Sequence, residues 1–117
     1  MKTKIASLAI GLLFISFISA SAQTSKTESF KVYGNCENCK KRIEKAANSV
    51  DGVSKASWDD NTKLALVTYD PAKTTVQKVQ VAIAKVGHDT ETEKAPDKAY
   101  NKLPECCKYE RKKETKL

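Results

Sequence analysis

From residue 29 the chain alternates. Phe30 and Val32 fall on one face and Ser29, Lys31 and Tyr33 on the other, the period-two pattern of a half-buried strand over residues 29–33. At Cys39 the period changes. Ile43, Ala46, Ala47 and Val50 recur at i, i+3, i+4 and i+7, while Lys40, Lys41, Arg42, Glu44 and Lys45 point elsewhere. This predicts an amphipathic helix that starts at Cys39 and ends at Asp51-Gly52, where glycine can take a left-handed backbone. Residues 53–59 and 63–69 read as two short strands joined by the turn formers Asp59, Asp60, Asn61 and Thr62, a hairpin. Asp70-Pro71 stops the second of them. Thr74 or Thr75 can cap a second helix, and Val76, Val79, Ile83 and Val86 form its apolar face as far as Gly87. Thr90 and Thr92 share a face in a last strand over residues 89–94, closed by Pro96. The order is strand, helix, strand, strand, helix, strand. It predicts an α+β split βαβ arrangement with both helices on one side of a single sheet.

The ends of the chain follow other rules. Lys2 and Lys4 precede an apolar run of 14 residues, 5–18, and Ala20-Ser21-Ala22 offers a small-x-small cleavage site. Residues 1–22 are therefore expected to be a signal peptide. The run is too short to cross about 30 Å of hydrocarbon, so an uncleaved signal anchor is the weaker reading. No cysteine precedes Cys36, which argues against a bacterial lipid anchor, and no stable membrane insertion is expected once the leader is gone. The chain would then be exported, periplasmic or secreted. What remains, residues 23–117, is a size for one domain with one modest core and no interdomain cleft, and residues 23–95 hold the predicted domain. Residues 96–117 form a basic tail carrying Cys106 and Cys107; Tyr100, Leu103 and Tyr109 could dock it, and the charged stretch from Lys108 onward is expected to fray. The net charge of +7 drops to +5 when Lys2 and Lys4 leave with the leader. That balance admits an acidic protein partner, an anionic surface or nucleic acid.

Candidate chemistry centres on Gly34-Asn35-Cys36-Glu37-Asn38-Cys39. Two thiols three positions apart at a strand-to-helix junction can turn both sulfurs towards one point. Cys39 at the helix start would have its thiolate favoured by unpaired N–H groups and the helix dipole, with Lys40 and Lys41 adding positive charge. Thiolates select soft ions: copper(I) first, with zinc, cadmium and mercury(II) also suited. Two strong ligands on an exposed loop leave the ion open to a partner's thiolates, which suits transfer better than storage.

The sequence here resembles the heavy-metal-associated domain family of copper chaperones, metal-transporting ATPases and the periplasmic mercuric-ion carrier. The resemblance rests on Cys36-x-x-Cys39 after the first strand, Asp51-Gly52-Val53, Val67-Thr68-Tyr69-Asp70-Pro71, and Val86-Gly87-His88 before the last strand. It implies a ferredoxin-like βαββαβ fold, metal held by Cys36 and Cys39, and hand-over by ligand exchange to a metal-transporting membrane protein or a similar metal-binding domain. Family members usually carry a loop-packing Met two residues before the first Cys; Gly34 stands there. Asn35 and Glu37 are polar neighbours that would favour a divalent ion.

In the family's fold the loop of His88, the single histidine, lies next to the metal loop, and a neutral imidazole there would make a third ligand. A surface histidine touching nothing is the plainer account. The adjacent Cys106 and Cys107 are averse to bridging each other. They could join Cys36 and Cys39 at metal, form disulfides elsewhere, or link a dimer through metal or disulfide. C-x-x-C at a helix start also serves thiol-disulfide exchange, the main rival, but the hairpin-centred pattern lacks the elements of a thioredoxin-like fold and no enzyme is expected. A structural Cys36–Cys39 disulfide is the bland alternative. Nucleic-acid binding is not expected either: Phe30, Tyr33, Trp58 and Tyr69 carry no basic-aromatic signature, and Trp58 reads as packing. The lysine-rich surface reads as a solvated face, or as a docking patch for an acidic partner.

Overall fold

Alternation along β1 (Lys26–Lys31) turns Phe30 inward, and the inward series continues into Val32; they are 2% and 0% exposed. The computed structural model describes residues 24–111. The leader expected over residues 1–22 and the last part of the tail, 112–117, lie outside the described residues. The hairpin pairs β2 (Val53–Trp58) with β3 (Leu64–Tyr69), and β3 also pairs with β1, giving an antiparallel sheet of order β1-β3-β2. Ala65 lies opposite both Phe30 and Trp58. That register puts Ala65, Val67 and Tyr69 on the buried face and leaves Leu64 and Leu66 on the other. The turn closes as the hairpin reading expects. The Asp59 carboxylate accepts from Asn61 N–H at 2.8 Å, and Lys63 takes φ 63°.

Helix α1 (Glu37–Asn48) starts two residues earlier than its apolar period indicated, with Cys36 as its N-cap. Cys39, Ile43, Ala46 and Ala47 form its buried stripe. Cys39 stands one turn before Ile43 and so belongs to the core face. Helix α2 (Val76–Lys85) is capped by Thr75, whose hydroxyl accepts from Lys78 N–H at 3.2 Å. Val79 and Ile83 are 0% exposed. Burying a side chain such as Ile83 contributes roughly 1.5–3 kcal/mol. Both helices thus close over one face of the sheet, in the ferredoxin-like α+β arrangement expected.

Three details differ from the pattern reading. Val86 lies beyond the end of α2 and is 37% exposed, so its spacing did not make it part of the buried face. The last strand shrinks to a single antiparallel bridge between Val32 and Thr90, flanked by Tyr33 N–H to Asp89 O at 2.9 Å and Glu91 N–H to Lys31 O at 2.8 Å. The hydroxyls of Thr90 and Thr92 turn to buried Gln80 Oε1 instead, each at 2.9 Å, and fold the segment back.

The tail is docked as far as it is described. A short helix α3 (Asp97–Asn101) and a 3₁₀ turn (Glu105–Cys107) return it to α1. Leu103, Cys107 and Tyr109 join the same core as Ile43 and Val79. Gly87, at φ 109°, makes this approach feasible: a Cβ there would stand 2.9 Å from Leu103 Cδ2. Fraying from Lys108 onward is therefore corrected for the described residues. The Tyr109 hydroxyl donates to Gly87 O at 2.8 Å and accepts from Asp89 N–H at 2.7 Å. Arg111 forms a two-pronged pair with the Asp89 carboxylate at 3.0 and 2.8 Å.

Candidate metal centre

The turn from β1 into α1 brings Cys36 Sγ and Cys39 Sγ to 3.3 Å. The docked tail adds to them. Cys107 Sγ lies 3.3 Å from Cys36 Sγ and 3.8 Å from Cys106 Sγ. The sulfurs of Cys36, Cys106 and Cys107 all lie within 4.8 Å of one another. All four cysteines are free thiols. Their burial is graded: Cys106 is exposed, Cys36 half-buried, and Cys39 and Cys107 buried, so the cluster opens to solvent on the side of Cys36 and Cys106.

The thiols differ chemically. Burial would raise Cys36, but the nearby Cys39 N–H and the thiols of Cys39, Cys107 and Cys106 outweigh it and lower the group from 9.0 to about 7. Burial raises Cys39, and it pushes Cys107 up to about 12 against the pull of Arg42. The thiolate-prone sulfur is therefore Cys36 at the N-cap, not Cys39, which the core stripe draws inward. Cys39 Sγ donates to Asn35 Oδ1 at 3.4 Å and reaches Cys107 O at 4.0 Å. Asn38 Nδ2 donates to Cys106 Sγ at 3.5 Å.

The cation at the sulfurs is Arg42, whose Nη1 donates to Cys107 Sγ at 3.3 Å. Lys40, a candidate for that role, turns to Glu44 Oε2 at 2.8 Å and Trp58 O at 3.0 Å. Helical spacing was the available signal: Arg42 stands at i+3 from Cys39 and shares its side of α1.

His88 is not in the thiol cluster. It is 0% exposed, its Nδ1 donates to Tyr33 O at 2.8 Å, and its ring stacks on Tyr109 at 5.5 Å. A carbonyl only accepts, so the proton sits on Nδ1, and the buried Nε2 has no hydrogen-bond partner. Burial lowers the imidazole from 6.5 to about 4. The ring acts as a strut under the loop, tying the segment between β1 and the cysteines to the tail's Tyr109.

Gly34 also has a physical account. A Cβ there would lie 3.0 Å from Cys39 Cβ, 3.2 Å from Trp58 Cη2 and 3.3 Å from Ile43 Cδ1. Trp58, 1% exposed with its indole N–H on Val32 O at 3.0 Å, fills the space behind the loop.

Three comparisons bear on this geometry. The chain is 37% identical over 89 residues to a mercuric transport protein periplasmic component of Pseudomonas aeruginosa, covering 75% of this chain and 93% of that protein. It is 35% identical over 71 residues to a copper-exporting P-type ATPase of Staphylococcus saprophyticus, 60% of this chain and 9% of the ATPase. The solved structure of the CopZ metallochaperone matches with a TM-score of 0.54 at 33% identity, over 56% of this chain and 98% of that one. No helix among the described residues is long and apolar enough to cross a membrane. The heavy-metal-associated domain pattern matches residues 31–89, and with it the chain belongs to the heavy-metal-associated domain family.

Proposed function

We propose that this protein carries a soft metal ion outside the cytosol and hands it to a partner by thiolate exchange, with Cys36 and Cys39 as the capturing pair. The observation that carries the reading is the 3.3 Å approach of the two sulfurs at the start of α1, with half-buried Cys36 on the solvent side and Cys39 buried behind it. Cys36 sits close to its thiolate form at neutral pH, the form that binds metal. Copper(I) is the first cargo: it accepts few sulfur ligands and exchanges them readily. Mercury(II) is the second reading, favoured by the similarity to the mercuric transport component over 93% of that protein's length. Residues 1–22 serve as the export leader, 23–95 as the metal-carrying domain and 96–117 as its cysteine-bearing basic tail. The partner is a metal-transporting membrane protein or a second domain of the same family, and the role is not enzymatic.

The test compares the reduced parent with Cys36→Ser/Cys39→Ser in holding copper(I) against a competing chelator. The parent is expected to keep the ion and the double variant to lose it. Equal retention overturns the assignment. Thiol-disulfide exchange by the parent is expected at background, and robust turnover would put the redox reading first.

A further inference from the structure

We propose that the tail completes a second, closed ligand set: Cys36, Cys106 and Cys107 form a three-sulfur site for a soft ion, with Cys36 shared between this set and the Cys36/Cys39 pair. The inference rests on the carrier reading above and adds to it the tail's part in holding the ion.

Geometry comes first. Thiolate-metal bonds of about 2.3 Å in trigonal array set neighbouring sulfurs about 4 Å apart. The cluster is near that size as it stands, with Cys36 to Cys107 at 3.3 Å, Cys106 to Cys107 at 3.8 Å and every pair within 4.8 Å. Small side-chain rotations would seat an ion among the three. Cys39 falls outside this set. Its sulfur is 3.3 Å from Cys36 but is turned to Asn35 Oδ1 and the Cys107 carbonyl. Three ligands suit a soft ion that accepts trigonal sulfur coordination and leave zinc one short of its usual tetrahedral set.

Charge comes second. Three thiolates around mercury(II) leave one negative charge, which the Arg42 guanidinium on Cys107 Sγ offsets; around copper(I) they leave two. Mercury(II) is the better match for the closed set. The tail is also held to reach the site. Tyr109, two residues beyond Cys107, is fixed by Gly87 O and Asp89 N–H, and Arg111 clamps Asp89. The backbone of Cys107 is tied in turn, its N–H donating to Pro104 O at 2.8 Å and its O accepting from Tyr109 N–H at 2.9 Å. Exposed Cys106 and half-buried Cys36 line the open side of this set, and buried Cys107 closes its inner side.

X-ray absorption on the reduced full chain loaded with one mercury(II) counts the sulfurs directly, since the metal-sulfur distance lengthens with each ligand added. Three sulfurs are expected in the parent, and three again in Cys39→Ser. Two or four sulfurs in the parent overturn the three-ligand assignment. A fall from three to two in Cys39→Ser also overturns it, because Cys39 would then be one of the ligands. The parent count needs no variant, so a Cys39→Ser chain that misfolds leaves the test intact. Two-sulfur binding in the parent that disappears in Cys36→Ser/Cys39→Ser sinks this proposal while leaving the carrier reading standing; a parent that takes up no ion sinks both.

Discussion

Acid should loosen this fold through one side chain. His88 is fully buried, neutral, and lowered by burial from 6.5 to about 4. In the unfolded chain the imidazole titrates at its ordinary value. Between pH 6.5 and about 4 the unfolded state therefore binds a proton that the folded state refuses, and stability falls as pH falls through that window. Above it the effect is absent. A separation of about 2.5 pH units at about 1.4 kcal/mol per unit caps the loss near 3 kcal/mol, of which about 2 kcal/mol is gone by about pH 5. The charged and titratable groups near the ring are Arg42, Asp89 and Tyr109. Arg42 opposes a second positive charge, and Asp89 is committed to Arg111. Urea unfolding followed by fluorescence of Trp58, the single tryptophan, reads the stability at about pH 7.5 and about pH 5. The comparison is His88→Asn, whose amide can still donate to Tyr33 O but does not titrate. The parent should lose about 2 kcal/mol more than the variant between the two conditions. Equal losses would show that His88 is not held neutral by burial, and the strut role would fall with it.

Gly34→Met, which restores the residue usual in the family, should destabilise this chain by about 1–3 kcal/mol because Trp58 and Cys39 already occupy the space; a variant with an unchanged urea midpoint contradicts the packing account. Alkylation of Cys36 in the metal-free protein should reach half its limiting rate near pH 7, with buried Cys107 lagging far behind. Peptide mapping by mass spectrometry separates the two sites, and half-limiting alkylation of Cys36 only above about pH 8 counts against the hydrogen-bond account. Tyr109→Phe leaves Asp89 N–H and Gly87 O without their shared hydroxyl and should cost about 1–3 kcal/mol, visible as faster amide exchange at Asp89. Protection equal to the parent's would mean that the ring alone docks the tail. Lys41, Arg42, Lys45 and Lys102 line an open groove of about 770 Å³ beside the thiols, so metal transfer to an acidic partner should slow as salt rises. A salt-independent rate would reduce those lysines to solubility.

What the sequence made legible followed the range of each interaction. The hairpin and the two helices are set by neighbours within a few positions, and their turns and caps were readable from Asp59, Asn61, Thr75 and Gly52. The Cys36–Cys39 pair was readable for the same reason. The inward turn of Cys39 is equally local: the Ile43 stripe extended back one turn passes through Cys39, and Arg42, at i+3, falls on the same side of α1. The last strand failed through a competing local choice: two threonines sharing a face read as strand, but their hydroxyls found the buried Gln80. The tail is the long-range case. Tyr109 finds Gly87 22 residues away, and Cys107 finds Cys36 71 residues away. Composition showed a charged end that ought to fray, and nothing local opposes that reading, because each partner lies in another element. Adjacent cysteines could be flagged as unable to bridge each other, which posed the question of their partners. The fold then brings Cys107 to Cys36 by anchoring the residues on either side of it, Leu103 on Gly87 and Tyr109 on Asp89. The position of those two thiols is therefore a property of the core, and mutations that loosen Tyr109 or His88 should reach the thiol cluster without touching a sulfur.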